Sequence, residues 1–351
     1  MSARMSFIRR MSFIRRMSFI RRMSFIRLKA TAIAHPNIAF VKYWGNADPA
    51  RHLPANPSIS MNLDSLHTVT TVIFLEAQKT DQVIIDDVPA SDASLRRVTA
   101  HMDRVRALAG TTLRARVVSR SNFPTGAGLA SSASAFAALT LAATAALGLA
   151  LPEDTLSALA RLGSGSACRS IPPGFVEWTT GESHEMSFAH SIAPSGHWPL
   201  CDCIGIVSTV HKSVGSTEGH ARAPSSPLHR SRVESAVTRV AACRAAILAR
   251  DLPALGEIVE ADTITMHAVT MTSRPPIYYW TPATLCIVRA VVAWRDEGLP
   301  MYYTVDAGPN VHCLCEEAHV AEVSRRLEEL PGVKQVRVAR PGGGARLISQ
   351  H

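Results

Sequence analysis

The segment that most constrains the fold is Pro124-Thr-Gly-Ala-Gly-Leu-Ala-Ser-Ser-Ala-Ser134. It lies between a strand-like run, 113–119, and an Ala-rich helical stretch, 135–151. A strand that passes through a glycine- and serine-rich turn into a helix gathers backbone N–H groups at the positive end of the helix dipole. That arrangement is a ready cradle for phosphate. Gly126 and Gly128 allow close backbone approach, while Ser131, Ser132 and Ser134 bring hydroxyls that can donate to phosphate oxygens or help hold Mg²⁺. The Gly-Lys-Ser/Thr ending of a Walker loop is absent. The same composition also serves tight helix packing, so alone it assigns no ligand. A second small-residue stretch, 163–170, places Ser164 and Ser166 beside Arg169, whose guanidinium suits a bidentate grip on phosphate.

Around these loops the periodicities alternate irregularly. Strand-like runs at 28–34, 38–43, 58–63 and 68–75 are followed by helical spacing at 94–109, and a further helix is expected at 152–162. Beyond 199 the pattern restarts, with a strand at 201–210, helices at 231–250, 252–267 and 282–297, a strand at 301–305 and a last helix–strand pair. Strands and helices in mixed order predict an α+β chain of two lobes, 28–198 and 199–351. A length of 351 residues with 47% hydrophobic and 19% charged side chains supports a sizeable core. No uncharged apolar run reaches the roughly 18 residues of a membrane-spanning helix.

Residues 1–27 stand apart. MSFIRR starts at Met5, Met11 and Met17, with a partial copy from Met23, and a period of six fits neither helix nor strand. The segment reads either as an Arg-rich targeting or membrane-surface peptide, or as a duplicated stretch upstream of the true start that leaves a disordered arm. It holds eight arginines and no acid, so the net charge of +9 falls to +1 without it. A near-neutral body argues against nucleic acid or membrane as partner.

The seven cysteines form no secretory pattern. The pairs Cys201/Cys203 and Cys313/Cys315 are spaced more closely than zinc ligands usually are and fall in strand-like runs. They read as packed thiols in a reducing cytoplasm, and no metal-ligating set is assigned. Asp306 ends a β-rich run before Ala-Gly-Pro-Asn, where a rigid turn can aim a carboxylate at a substrate hydroxyl or the carboxylate can satisfy its own turn. In NIAFVKYWG, taken without context, Lys42 reads as an ordinary surface lysine and Trp44 as a core residue.

Together the segments resemble the mevalonate diphosphate decarboxylase family of the GHMP kinase superfamily. NIAFVKYWG (37–45), NPSISMNL (56–63), NFPTGAGLASSASAFAAL (122–139), RLGSGSACRS (161–170), GFVEW (174–178) and DAGPN (306–310) follow the family's order over nearly the whole chain after the tail. The resemblance implies an amino-terminal lobe like ribosomal protein S5 domain 2 and a ferredoxin-like carboxy-terminal lobe. It also implies ATP and Mg²⁺, and a 5-phosphorylated mevalonate as substrate. Phosphorylation of the tertiary C3 hydroxyl is then followed by loss of phosphate and CO₂ to leave an alkene.

By the same resemblance Asp306, Lys42 and Asn37 form the catalytic set. Pro124, Gly126, Gly128, Ser131, Ser132 and Ser134 hold ATP. Tyr43, Asn46, Ser164, Ser166 and Arg169 bind the substrate's carboxylate and 5-phosphate, and Ser216 and Thr217 add a further wall. Two departures stand out: Asn46 replaces the family's usual Lys, and Ile171-Pro-Pro-Gly174 replaces an aromatic-Gly-Gly stretch. The missing charge shifts the expected substrate from mevalonate 5-diphosphate to mevalonate 5-phosphate. The rival classes are a superfamily kinase that stops at phosphorylation and a binder recruited by the basic tail. A homodimer stays open.

Overall fold

The computed structural model describes residues 28–124, 130–210 and 212–350. The tail, Gly126 and Gly128 therefore lie outside the described residues.

Six strands form the outer sheet of the amino-terminal lobe, in the order Arg346–Gln350, Lys29–Ala34, Thr68–Leu75, Arg114–Ser121, Gln82–Ile85 and Val88–Pro89. Strict alternation in TVTTVIFL buries Thr68, Thr70, Val72 and Phe74 on one face. Against that face lie the helices Asp92–Ala109 and Ser131–Ala146. The first is capped by Ser91 and stopped by Gly110 at φ 64°, and buries Val98, Met102 and Val105 at helical spacing. The second is apolar almost all round, and its alanines let it sit deep in the lobe. It begins at Ser131 and ends at Ala146, earlier than the 151 expected, because Gly148 turns the chain at φ 70°.

An inner sheet, in the order Ala189–Ala193, Phe175–Trp178, Ser58–Asn62 and Asn37–Val41, is antiparallel throughout. Its two faces differ in chemistry. Ile38, Phe40, Ile59 and Met61 join a core shared with Leu200, Ile204, Leu255 and Leu314 of the carboxy-terminal half. The alternate residues Asn37, Ser58 and Ser60 are buried and polar, and they build the site described below.

The carboxy-terminal sheet runs Met301–Val305, Val311–Glu316, Leu200–Ile206 and Gln335–Ala339, again antiparallel. Helices His229–Ala249 and Leu252–Thr272 cover one face, and Pro282–Asp296 and Val320–Glu328 the other. Cys201, Cys203, Cys313 and Cys315 all face the second layer as free thiols. Among the described residues no group of three or more His, Cys, Asp or Glu could hold a metal ion. No described helix is long and apolar enough to cross a membrane.

Near its end the chain crosses the division expected at 199. The last strand, Arg346–Gln350, returns to pair with Lys29–Ala34 in the amino-terminal sheet. Chain order placed it in the second lobe because pairing across more than 300 residues leaves no local signal.

Candidate active site

A cavity of about 580 Å³ opens where the amino-terminal sheet, the helix Ser131–Ala146 and the carboxy-terminal lobe meet. Lys42 and Asp306, 264 residues apart, face each other in it, with Nζ donating to Oδ1 at 2.5 Å. Lys42 is 2% exposed and donates a second hydrogen bond to the Ala39 carbonyl, while the Asp306 side chain is 23% exposed. Burial opposes ionisation of Asp306. Lys42, then His312 and Arg169, outweigh it and hold the carboxyl below the ordinary Asp value.

Arg169 is fixed from behind by the polar face of the inner sheet. Its Nε donates to Asn37 Oδ1 at 3.2 Å and Ser60 Oγ at 3.1 Å, and its Nη1 to Ser58 Oγ at 2.7 Å. Among the described residues Nη2 has no partner, and the residue lines the cavity. Asn37 also donates to Ser170 Oγ at 2.8 Å and to the Ser166 carbonyl at 3.2 Å. It does not line the cavity. The catalytic part expected of Asn37 is thus corrected to a holding one: its amide is spent on Arg169 and the 3₁₀ turn Gly165–Ser170.

Tyr43 donates its hydroxyl to Asn46 Oδ1, and both line the cavity. Its ring stacks on His220 with centroids 4.0 Å apart. Burial drives the His220 imidazole down to about 3, so it is neutral and Nδ1 accepts from the Gly45 N–H at 2.9 Å. Gly165 is required opposite: a Cβ there would stand 2.5 Å from Tyr43 Cε1.

Ser131, Ser132, Ser164, Ser166, Ser216 and Thr217 all line the cavity. Ser132 and Ser164 meet through their hydroxyls at 3.1 Å, which joins the two glycine-serine loops. Ser134 does not belong with them. It is fully buried, with Oγ 2.7 Å from Thr68 Oγ1 and donating to the Ser131 carbonyl at 3.2 Å. Helical geometry explains the correction, since residues two apart on a helix point to different faces. Pro124 does not line the cavity either.

Sequence reasoning gave no site role to several lining residues. Arg97 donates to the Gly163 carbonyl at 3.1 Å and lies 5.0 Å over the Phe136 ring. Lys212 donates to Ser216 Oγ at 2.9 Å and the Ala307 carbonyl at 2.6 Å, and burial pulls its ammonium down to about 8 against the pull of Asp306. Arg97 and Lys212 both lie outside the motifs read from the sequence.

The cavity suits a nucleotide. Val83, Ile85, Val117 and Leu139 offer apolar surface for a base, and Ser131 and Ser132 open the 16-residue helix Ser131–Ala146 for phosphates. With no acidic cluster among the described residues, Mg²⁺ would be held mainly by phosphate and water, as is usual for that ion.

Two antiparallel-rich lobes with a nucleotide-sized cavity at their junction are the architecture of the GHMP kinase superfamily. Residues 34–189 match the diphosphomevalonate decarboxylase-like N-terminal domain, and 203–339 the mevalonate 5-diphosphate decarboxylase C-terminal domain. The chain belongs to the diphosphomevalonate decarboxylase family. A diphosphomevalonate decarboxylase of Aspergillus fumigatus is 39% identical over 307 residues, spanning 80% of this chain and 75% of the relative. A phosphomevalonate decarboxylase of Haloferax volcanii is 33% identical over 304 residues, spanning 86% and 93%. The solved complex of MDDEF with MVAPP, AMPPCP and magnesium superimposes with a TM-score of 0.87 at 38% identity, covering 92% of this chain and 99% of that one.

Proposed function

We propose that the protein converts mevalonate 5-diphosphate and ATP to isopentenyl diphosphate, ADP, phosphate and CO₂ in isoprenoid synthesis. The observation that carries this reading is the Lys42–Asp306 pair in one cavity with the pre-anchored Arg169. ATP with Mg²⁺, when bound, supplies the phosphoryl group that makes the tertiary hydroxyl a good leaving group. Asp306 orients the C3 hydroxyl and accepts its proton, and its lowered pKa keeps it ionised for that role. Lys42 keeps the carboxylate in place and balances charge at the reacting end. Arg169 offers its free Nη2 to the substrate's carboxylate, which holds the departing CO₂ group in line. Ser131, Ser132 and Lys212 grip the nucleotide's phosphates, while Tyr43, Asn46, Ser164 and Ser166 bind the 5-diphosphate.

The diphosphate reverses the preference expected from Asn46 alone. Position 46 does not decide the charge of the cavity, because Arg97, Arg169 and Lys212 line it as well. The names of the Aspergillus relative and of the compound bound in the MDDEF complex support the same choice. A second reading, the monophosphate, rests on the uncharged Asn46 and on the Haloferax relative. Measuring kcat/KM for both substrates decides between them. The first reading requires the diphosphate to win by about tenfold or more, the worth of one charged hydrogen bond. If the monophosphate wins and Asn46→Lys reverses the order, the second reading holds.

A further inference from the structure

Lys42 lies just past the strand Asn37–Val41, beyond the last registered pair, Val41 with Ile59. Its peptide is held instead by side chains far away in sequence. The Lys42 N–H donates to Asp262 Oδ2 at 2.7 Å, and its carbonyl accepts from Arg232 Nη2 and Asn56 Nδ2, each at 2.9 Å. Asp262 is fully buried and is flanked by Arg232 at 3.1 Å and Arg239 at 2.9 Å.

The helix that carries Asp262, Leu252–Thr272, also holds the strand that presents Asp306. One residue on, Thr263 Oγ1 lies 2.9 Å from Thr304 Oγ1, and a turn later His267 Nε2 lies 3.1 Å from the Val305 carbonyl oxygen. A single stretch of helix thus grips both the backbone of Lys42 and the strand end before Asp306.

We infer that Asp262, with Arg232 and Arg239, is a positioning residue for the reaction, fixing the Lys42 backbone against Asp306 through the helix Leu252–Thr272. The inference rests on the reading of Lys42 and Asp306 as the reacting pair. Stability alone is a poor reason for the network, since a buried ion triad often contributes no more than well-packed apolar side chains would. What such packing could not do is accept the Lys42 N–H and hold that peptide in one place.

The test is Asp262→Asn in the full chain. Asn keeps the size but leaves two guanidiniums without a countercharge. The expected result is a fall in kcat of about 10–100-fold, the range that a misplacement near 1 Å produces. KM for ATP and for mevalonate 5-diphosphate should stay within about threefold, because the binding walls are untouched. The acid limb of the kcat–pH profile should also move to higher pH, since a displaced Lys42 no longer holds the Asp306 carboxyl down. A folded Asp262→Asn enzyme with wild-type kcat and pH profile overturns the inference.

Should that variant not fold, Arg239→Gln carries the test, because Arg239 is 18% exposed and its loss leaves the Asp262–Arg232 pair intact. A kcat lowered by about threefold or more at unchanged KM supports positioning, and an unchanged kcat refutes it. Asp306→Asn measured alongside separates the two failures. If it is inactive while the network variants are normal, only the positioning falls. If it too is fully active, the reading of the reacting pair falls.

Discussion

Two aspartates of the carboxy-terminal half meet cations, and they do opposite things. Asp306 takes a single lysine contact and keeps 23% of its side chain open to the cavity. Asp262 is closed to solvent and is shared by two arginines and a backbone N–H. The first arrangement leaves a lone pair for another molecule. The second leaves none. The contrast teaches that an ion pair is recognised as reactive or structural by its unused bonding capacity rather than by its charge.

The sharpest way to break this comparison is Asp306→Asn, which should cost about 10²–10⁴-fold in kcat, the usual worth of a placed acid–base group. Thermal stability should change little, and turnover within a few-fold of wild type would remove Asp306 from the reaction. At the closed pair folding should suffer as well as turnover. Asp262→Ala leaves Arg232 buried and uncompensated, and a loss of about 3–5 kcal/mol in denaturant-unfolding free energy is expected.

Arg169→Met tests the anchored guanidinium between these extremes. Losing one charged hydrogen bond, about 1.5–3 kcal/mol, should raise KM for the phosphorylated mevalonate about 10–100-fold. Lys212 gives a pH signature. Its ammonium, drawn down to about 8, is charged below that pH and neutral above it. ATP affinity should therefore weaken as pH rises through about 8, and Lys212→Gln should flatten that dependence in a calorimetric titration. The smallest effect is expected from deleting residues 1–22, whose hexad period suits no regular element; activity and melting temperature should not move.

Much of the site was legible because it is made of short local patterns. The two glycine-serine loops, KYW and DAG each carry their chemistry in a few adjacent residues, and the structure brings Lys42, Tyr43, Ser132, Ser164, Arg169 and Asp306 to one cavity. What was not legible is set by direction and distance. Ser132 and Ser134 are indistinguishable as letters, yet helical geometry sends one to the cavity and the other to Thr68. Asn37, Ser58 and Ser60 act through the back of Arg169, which only the pleat of the inner sheet shows. Asp262 contacts a residue 220 positions away and sits in a helix that reads as ordinary. The fold shows the same division, since strand Met301–Val305 falls where its β-rich composition puts it, while Arg346–Gln350 crosses to the other lobe.

The most direct test of the account is the product formed by the wild-type chain from mevalonate 5-diphosphate and ATP, followed by mass spectrometry with CO₂ captured in parallel. The account predicts isopentenyl diphosphate, with one CO₂, one phosphate and one ADP released per turnover. A phosphorylated product that keeps its carboxylate and releases no CO₂ would contradict it, and would make the Lys42–Asp306 pair the site of a kinase.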